Sequence, residues 1–180
     1  MNVVLERQVC AFSVADHLFA LPLSQVQEVL STPELTPVPL APPAVRGLIN
    51  LRGRIVTVFD LRRRLGLPPG GAEAMTVVLR ARDGGVSLLV DAVEDVVEAS
   101  AQALEPPPRT LPPALREFLL GVRQGGPDLG GRLLLVLDAE RAVRLNESDD
   151  RRQPERSAQG RAGVVSRPPI AEPPRRASST

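Results

Sequence analysis

Two apolar runs joined by a short turn most constrain this chain: Leu48-Ile49-Asn50-Leu51 and Ile55-Val56-Thr57-Val58-Phe59, linked through Arg52-Gly53-Arg54. Gly53 can supply the positive φ of a tight turn, so the stretch predicts a β-hairpin. Asp60 follows, and its carboxylate can accept from the unsatisfied N–H groups of a helix start; Leu61 and Leu65 continue a short helical pattern until Gly66 and Pro68 end it. Strand, turn, strand and capped helix make one compact unit.

Similar runs flank it on both sides. Val9 to Val14 and His17 to Leu21, separated by Ala15-Asp16, predict an opening hairpin with His17 solvated at its turn and Cys10 a small buried hydrophobe. Leu23 to Leu30 reads as one helical turn running into a strand. Five prolines between Thr32 and Pro43 cannot donate to a ladder and favour an extended edge or loop. Thr76 to Arg82, the turn Asp83-Gly84-Gly85, and Val86 to Val90 predict a further hairpin. Asp91 to Ala99 mixes valines and acids in a pattern that fits neither period. Pro112-Pro113 opens a short helix through Phe118 and Leu119, and Leu120 to Arg123 pairs with Arg132 to Asp138 across the glycine-rich 124–131 loop. Leu133 to Leu137 has no polar interruption and is expected to be buried on both faces, with Asp138 capping a closing helix, Ala139 to Leu145, that docks through Ala142, Val143 and Leu145.

Composition narrows the function. Four Phe and no Trp or Tyr leave the core to aliphatic side chains. A body of about 145 residues would bury roughly 70 % of the surface its unfolded chain exposes, enough to fold alone. The net charge of +1 argues against a nucleic-acid or anionic-membrane field, and all 22 basic residues are Arg. One Cys excludes an internal disulfide, and one Cys with one His cannot assemble an ordinary zinc site. Without Lys there is no phosphate-loop lysine, and a triad would have to run through His17 alone. The expectation is no enzyme, no cofactor and no metal. The start of the chain reads as neither signal peptide nor membrane span, so a cytoplasmic protein is expected. Residues 1–147 are expected to form the folded body. The 148–180 stretch, with seven Arg, four acids and five Pro, is expected to be a disordered Arg/Pro/Ser-rich tail.

Arg52 is the side chain to single out. On residues alone it is either a turn arginine in a surface ion pair or a guanidinium fixed beside apolar groups such as Val26 and Leu51 to bind a partner's carboxylate or carbonyls. Arg62, Arg63 and Arg64 read as a solvated helix face.

The order Pro42-Pro43-Ala44-Val45-Arg46-Gly47, Asn50-Leu51-Arg52-Gly53, a β-branched run, then Asp60-Leu61-Arg62 resembles the signature of the CheW family, adaptors of bacterial chemosensory arrays. The likeness covers roughly residues 9 to 145; Thr57 stands where the family usually has Pro. It implies a mostly β fold of two small five-stranded barrels packed together, with short connecting helices, and makes Asp91 to Ala99 a strand. It also implies two partners, a chemoreceptor's cytoplasmic tip and the regulatory domain of a CheA-type histidine kinase, met at membrane-associated arrays with no nucleic acid and no membrane insertion. By resemblance the partner-binding residues are Val26, Glu28, Asn50, Leu51, Arg52 and Gly53 on the receptor side, with turn formation the alternative role of Asn50 and Gly53, and Gly121 and the strand beyond it on the kinase side. A scaffold of a non-motility chemosensory system, controlling pili, second messengers or development, is the alternative.

Overall fold

The computed structural model describes residues 6–31, 34–70, 74–80, 85–98 and 103–145, and shows two five-stranded sheets with three short helices. The strands are β1 Gln8–Val14, β2 His17–Pro22, β3 Val26–Ser31, β4 Val45–Leu51, β5 Arg54–Asp60, β6 Met75–Leu79, β7 Gly85–Val90, β8 Ala92–Glu98, β9 Leu119–Gln124 and β10 Leu133–Leu137. The helices are α1 Leu61–Arg64, α2 Pro113–Arg116 and α3 Ala139–Val143. The first sheet has the order β8-β1-β2-β10-β9 and the second β3-β6-β7-β5-β4. The chain crosses between sheets after β2, where Leu23–Gln25 forms a 3-10 turn, and crosses back after β7 at Asp91.

Both sheets are built alike. Each has one parallel pairing, β10 with β2 and β5 with β7. In each the strand of that pair nearer the chain's own helix runs into an aspartate cap: Asp60 accepts from Arg63 N at 3.1 Å to start α1, and Asp138 from Arg141 N at 3.1 Å to start α3. Pro113 opens α2 at a first-turn position, where its missing N–H costs no bond.

Successive side chains along a strand point to opposite faces, and here both faces are covered. Cys10, Phe12, Phe19, Leu21, Leu135 and Leu137 of the first sheet meet Phe59, Val77, Leu88 and Val90 of the second in the shared core. Their alternating neighbours Val9, Ala11, Leu18, Ala20, Leu134 and Val136 fill a smaller core on the other face of the first sheet. Ile49, Val56 and Val58, with Leu30, Leu51 and Leu89 against them, do the same for the second. The edge strands β3 and β4 both contribute to that last cluster, so the second sheet curls until its edges approach. Neither sheet closes its ladder among the described residues: β8 and β9, like β3 and β4, remain unpaired with each other. The five-stranded bodies are thus as expected, as curled sheets in place of closed barrels.

Several local expectations hold, and others shift. Cys10 is buried, and burial pushes its thiol pKa up. His17 is half-buried with its ring edge-on to Phe19. Of the Asp91 to Ala99 stretch, Ala92–Glu98 forms β8, and Leu134 to Leu137 are buried while Leu133 is exposed at the strand's start. The closing helix stops at Val143, leaving Leu145 exposed where it was expected to dock. The Asp83-Gly84 turn and the 148–180 stretch lie outside the described residues.

The clearest correction concerns α1. Arg62 to Arg64 do not form a solvated face: Arg64 is 4 % exposed, and Arg62 is paired with Asp91. Only Arg63 projects largely into solvent, held loosely by Asp60 at 3.3 Å. The sequence pattern missed this because the groups that hold Arg64 are backbone carbonyls of a helix almost 80 residues further on, which carry no side-chain signature.

Candidate functional site

The β4–β5 turn is two residues long, with Leu51 opposite Arg54, and both central residues are left-handed: Arg52 at φ 52° and Gly53 at φ 84°. Two positive φ values match the twist of the flanking strands. Glycine adopts that region freely, whereas a residue with a Cβ gives up about 1–2 kcal/mol to do so. Asn50 steadies the turn, its Oδ1 accepting from Gly53 N at 2.8 Å.

The guanidinium of Arg52 reaches from this turn to Glu28 on β3, the opposite edge of the same sheet. Nη1 donates to Oε1 at 3.2 Å and Nη2 to Oε2 at 2.9 Å, a two-pronged contact. Gln27 Nε2 also donates to Glu28 Oε1 at 3.3 Å. The pair spans the gap that the ladder leaves open between β3 and β4, the strands whose Leu30 and Leu51 pack against the curled interior. It is unequal in exposure: the Arg52 side chain is 78 % accessible, that of Glu28 only 19 %. An ion pair this exposed contributes about 0–1 kcal/mol, less than the turn conformation costs. Stability therefore does not account for an arginine at this position. With two of its five N–H donors directed at Glu28, the guanidinium is oriented and has donor capacity left for a carboxylate or carbonyl from outside. Ile55, across the ladder from Asn50, is an exposed apolar side chain on the other face of the same hairpin.

The structure brings Glu28, Asn50, Leu51, Arg52 and Gly53 together at this end of the second sheet. Val26 is placed differently, 8 % exposed and packed in the shared core, so its side chain is not part of the exposed surface around Arg52. Gly121 lies in the other sheet, on β9, and is buried: a Cβ there would meet Leu104 Cβ at 2.7 Å and Glu105 O at 2.9 Å. That glycine lets the Leu104-Glu105 segment cross β9 closely enough for Glu105 and Val122 to exchange backbone hydrogen bonds at 2.9 and 2.8 Å. Sequence reasoning singled out Glu28 and Arg52 separately and missed that they pair. No local spacing could reveal it, since β3 and the β4–β5 turn meet only through the curl of the sheet. It missed Ile55 as well, although the alternation Ile55, Thr57, Phe59 against Val56, Val58 places Ile55 on the face opposite the buried valines.

Among the described residues no helix is long and apolar enough to cross a membrane, and no group of three or more His, Cys, Asp or Glu could hold a metal ion. The arrangement offers directional recognition at an exposed turn.

Comparison with known proteins gives a consistent picture. The family model described as CheW-like domain matches residues 8–147. A probable chemotaxis protein CheW of Rhizobium etli is 30 % identical over 146 residues, 80 % of this chain and 92 % of the relative. The chemotaxis protein CheW of Rhizobium meliloti is 32 % identical over 136 residues, 74 % of this chain and 85 % of the relative. Among solved structures, the scaffolding protein TtCheW from Thermoanaerobacter tengcongensis superposes with a TM-score of 0.68 at 26 % identity, covering 81 % of this chain and 90 % of that one.

Proposed function

Because this chain belongs to the CheW-like domain family, we propose that it joins the cytoplasmic tip of a chemoreceptor to the regulatory domain of a CheA-type histidine kinase, at membrane-associated arrays. Its role is that of a chemotaxis scaffold. The observation that supports the receptor assignment is Arg52: left-handed at a cost, braced by Glu28, and still mostly in water. Strain held where packing does not demand it points to function. The β4–β5 turn, with Asn50, Leu51, Gly53 and the exposed Ile55 of the same hairpin, is the receptor contact. The kinase contact is assigned to the first sheet around Gly121, where the exposed Leu120 on the edge strand β9 offers an apolar group. Signalling is a coupling free energy between two interfaces on one rigid body, with no substrate turned over.

Arg52→Glu tests this. Titration of the purified protein with a receptor tip fragment is expected to show binding weakened about tenfold or more, as for loss of an interface arginine anchor, while kinase binding and the melting curve stay nearly unchanged. Unaltered receptor affinity would remove Arg52 from the site.

A further inference from the structure

The core between the two sheets is aliphatic apart from its phenylalanines and Cys10, and apolar packing of this kind is non-directional: it holds two surfaces together without defining the angle between them. Directional contacts between the two halves gather at α1. This helix follows β5 of the second sheet, yet two of its three arginines reach parts of the first half, in different directions.

Arg62 binds Asp91, with Nε donating to Oδ1 at 2.7 Å and Nη2 to Oδ2, and it also donates from Nη1 to Pro68 O at 2.8 Å. Asp91 is the residue at which the chain passes from β7 in one sheet to β8 in the other. Its Oδ2 accepts from Ala15 N at 2.7 Å, and its own N–H donates to Ser13 O at 3.0 Å. Ala15 is itself left-handed, at φ 53°, in the β1–β2 turn. One carboxylate thus ties α1, the crossover and the β1–β2 turn. Arg64 reaches the end of α3, with Nε donating to Ala142 O at 3.0 Å and Nη2 to Arg141 O at 3.1 Å and to Arg144 O. These are last-turn carbonyls that a helix cannot satisfy internally. The guanidinium also lies over the Phe118 ring, 4.9 Å from its centroid, between α2 and β9.

We propose that Arg62 and Arg64 are positioning residues that together form a two-armed clamp setting the angle between the sheets, and hence the relative orientation of the two partner surfaces. The planar guanidinium makes hydrogen bonds only in a fixed fork, so each arm tolerates little rotation where the aliphatic core would tolerate more. Phe118 O accepts from Asp138 N at 2.8 Å, which links the stacked ring to the cap of α3 and extends the clamp to the base of β9, the strand assigned to kinase contact. The consequence for signalling rests on the scaffold reading above; the clamp geometry does not.

The test measures the angle directly. Nitroxide labels on Val29→Cys of β3 and Leu120→Cys of β9, with buried Cys10 left in place, report the inter-sheet distance by pulsed electron paramagnetic resonance. The parent is expected to give one narrow distance, and the Arg64→Met, Asp91→Asn double variant a broadened or split one. An unchanged distribution in the folded double variant would overturn the proposal. If the double variant does not fold, Asp91→Asn alone decides on the same criterion, since it keeps the side chain's size and an acceptor for Ala15. In a second arm, the clamp variants are expected to bind receptor fragment and kinase singly as the parent does, yet to lose receptor control of kinase activity by about fivefold or more. Retained control despite a broadened distance would overturn the signalling consequence. Failure of the unmodified chain to bind either partner would instead sink the scaffold reading, and the distance arm would still judge the clamp.

Discussion

Arg52 and Arg64 are the same residue type twelve positions apart, placed in opposite environments. Arg52 stands on a strained two-residue turn with its side chain 78 % accessible and one carboxylate as its brace. Arg64 is 4 % exposed, capped onto the carbonyls of a distant helix and stacked on an aromatic ring. The buried arginine satisfies groups that would otherwise be orphaned, so its loss falls on stability. The exposed one gains little from its ion pair, so its loss falls on recognition. Equal charge thus predicts neither outcome; what decides is whether the partner groups have water as an alternative.

The contrast can be broken by experiment. The largest effect is expected for Arg64→Met, which keeps an apolar stem against Phe118 but leaves α3 carbonyls unpaired. Urea unfolding should show a loss of about 2–3 kcal/mol, the cost of stranding buried acceptors; a loss no greater than that of a surface change would place Arg64 with Arg52. A smaller effect of opposite sign is expected for Arg52→Asn. Asparagine tolerates the left-handed region, so the variant should gain up to about 1 kcal/mol in the same assay while binding a receptor fragment less well. A variant that gained stability without losing affinity would show that the strain serves no recognition. The smallest effect sets the baseline: we propose that residues 148–180, rich in Arg, Pro and small polar residues, form no part of the packed body, and deleting them should leave the calorimetric melting midpoint unmoved. A clear drop would mean that they pack.

Much of the fold was legible because its strands announce themselves locally. The Ala15-Asp16 and Arg52-Gly53 turns sit between apolar runs, and Asp60 and Asp138 mark helix starts that both form. Partnership over distance was not legible from the residues themselves. The parallel pairings of β2 with β10 and β5 with β7 join segments with no shared turn, and only the resemblance to a known family pointed to two bodies. The valines of β8 fit neither period because its pairing with β1 shifts register, Ala11 facing Asp95 and Phe12 facing Val93, so that Glu94 is an extra residue and the alternation changes phase there. Of the candidate site, the residues themselves marked Gly53 as a turn former and Arg52 as either a surface ion-pair arginine or a binding group; its assignment to a partner came only from the family resemblance, and the Arg52–Glu28 brace depended on sheet curvature. Arg64 was misread because three consecutive arginines on a short helix look alike, and what separates them is the closing helix packed over one of them.

The alternation of side chains between a shared core and two private ones has a consequence for how such a chain can vary. Sliding β1 or β10 by a single residue would send Phe12 or Leu135 into the narrow interior of one sheet and hand Ala11 or Val136 to the seam between the sheets. Point replacements of similar volume should be absorbed in these strands, whereas a one-codon insertion or deletion would exchange the contents of two compartments of different size. A change of length should accordingly be tolerated in the loops and not in these strands, which act as a ruler for the whole molecule.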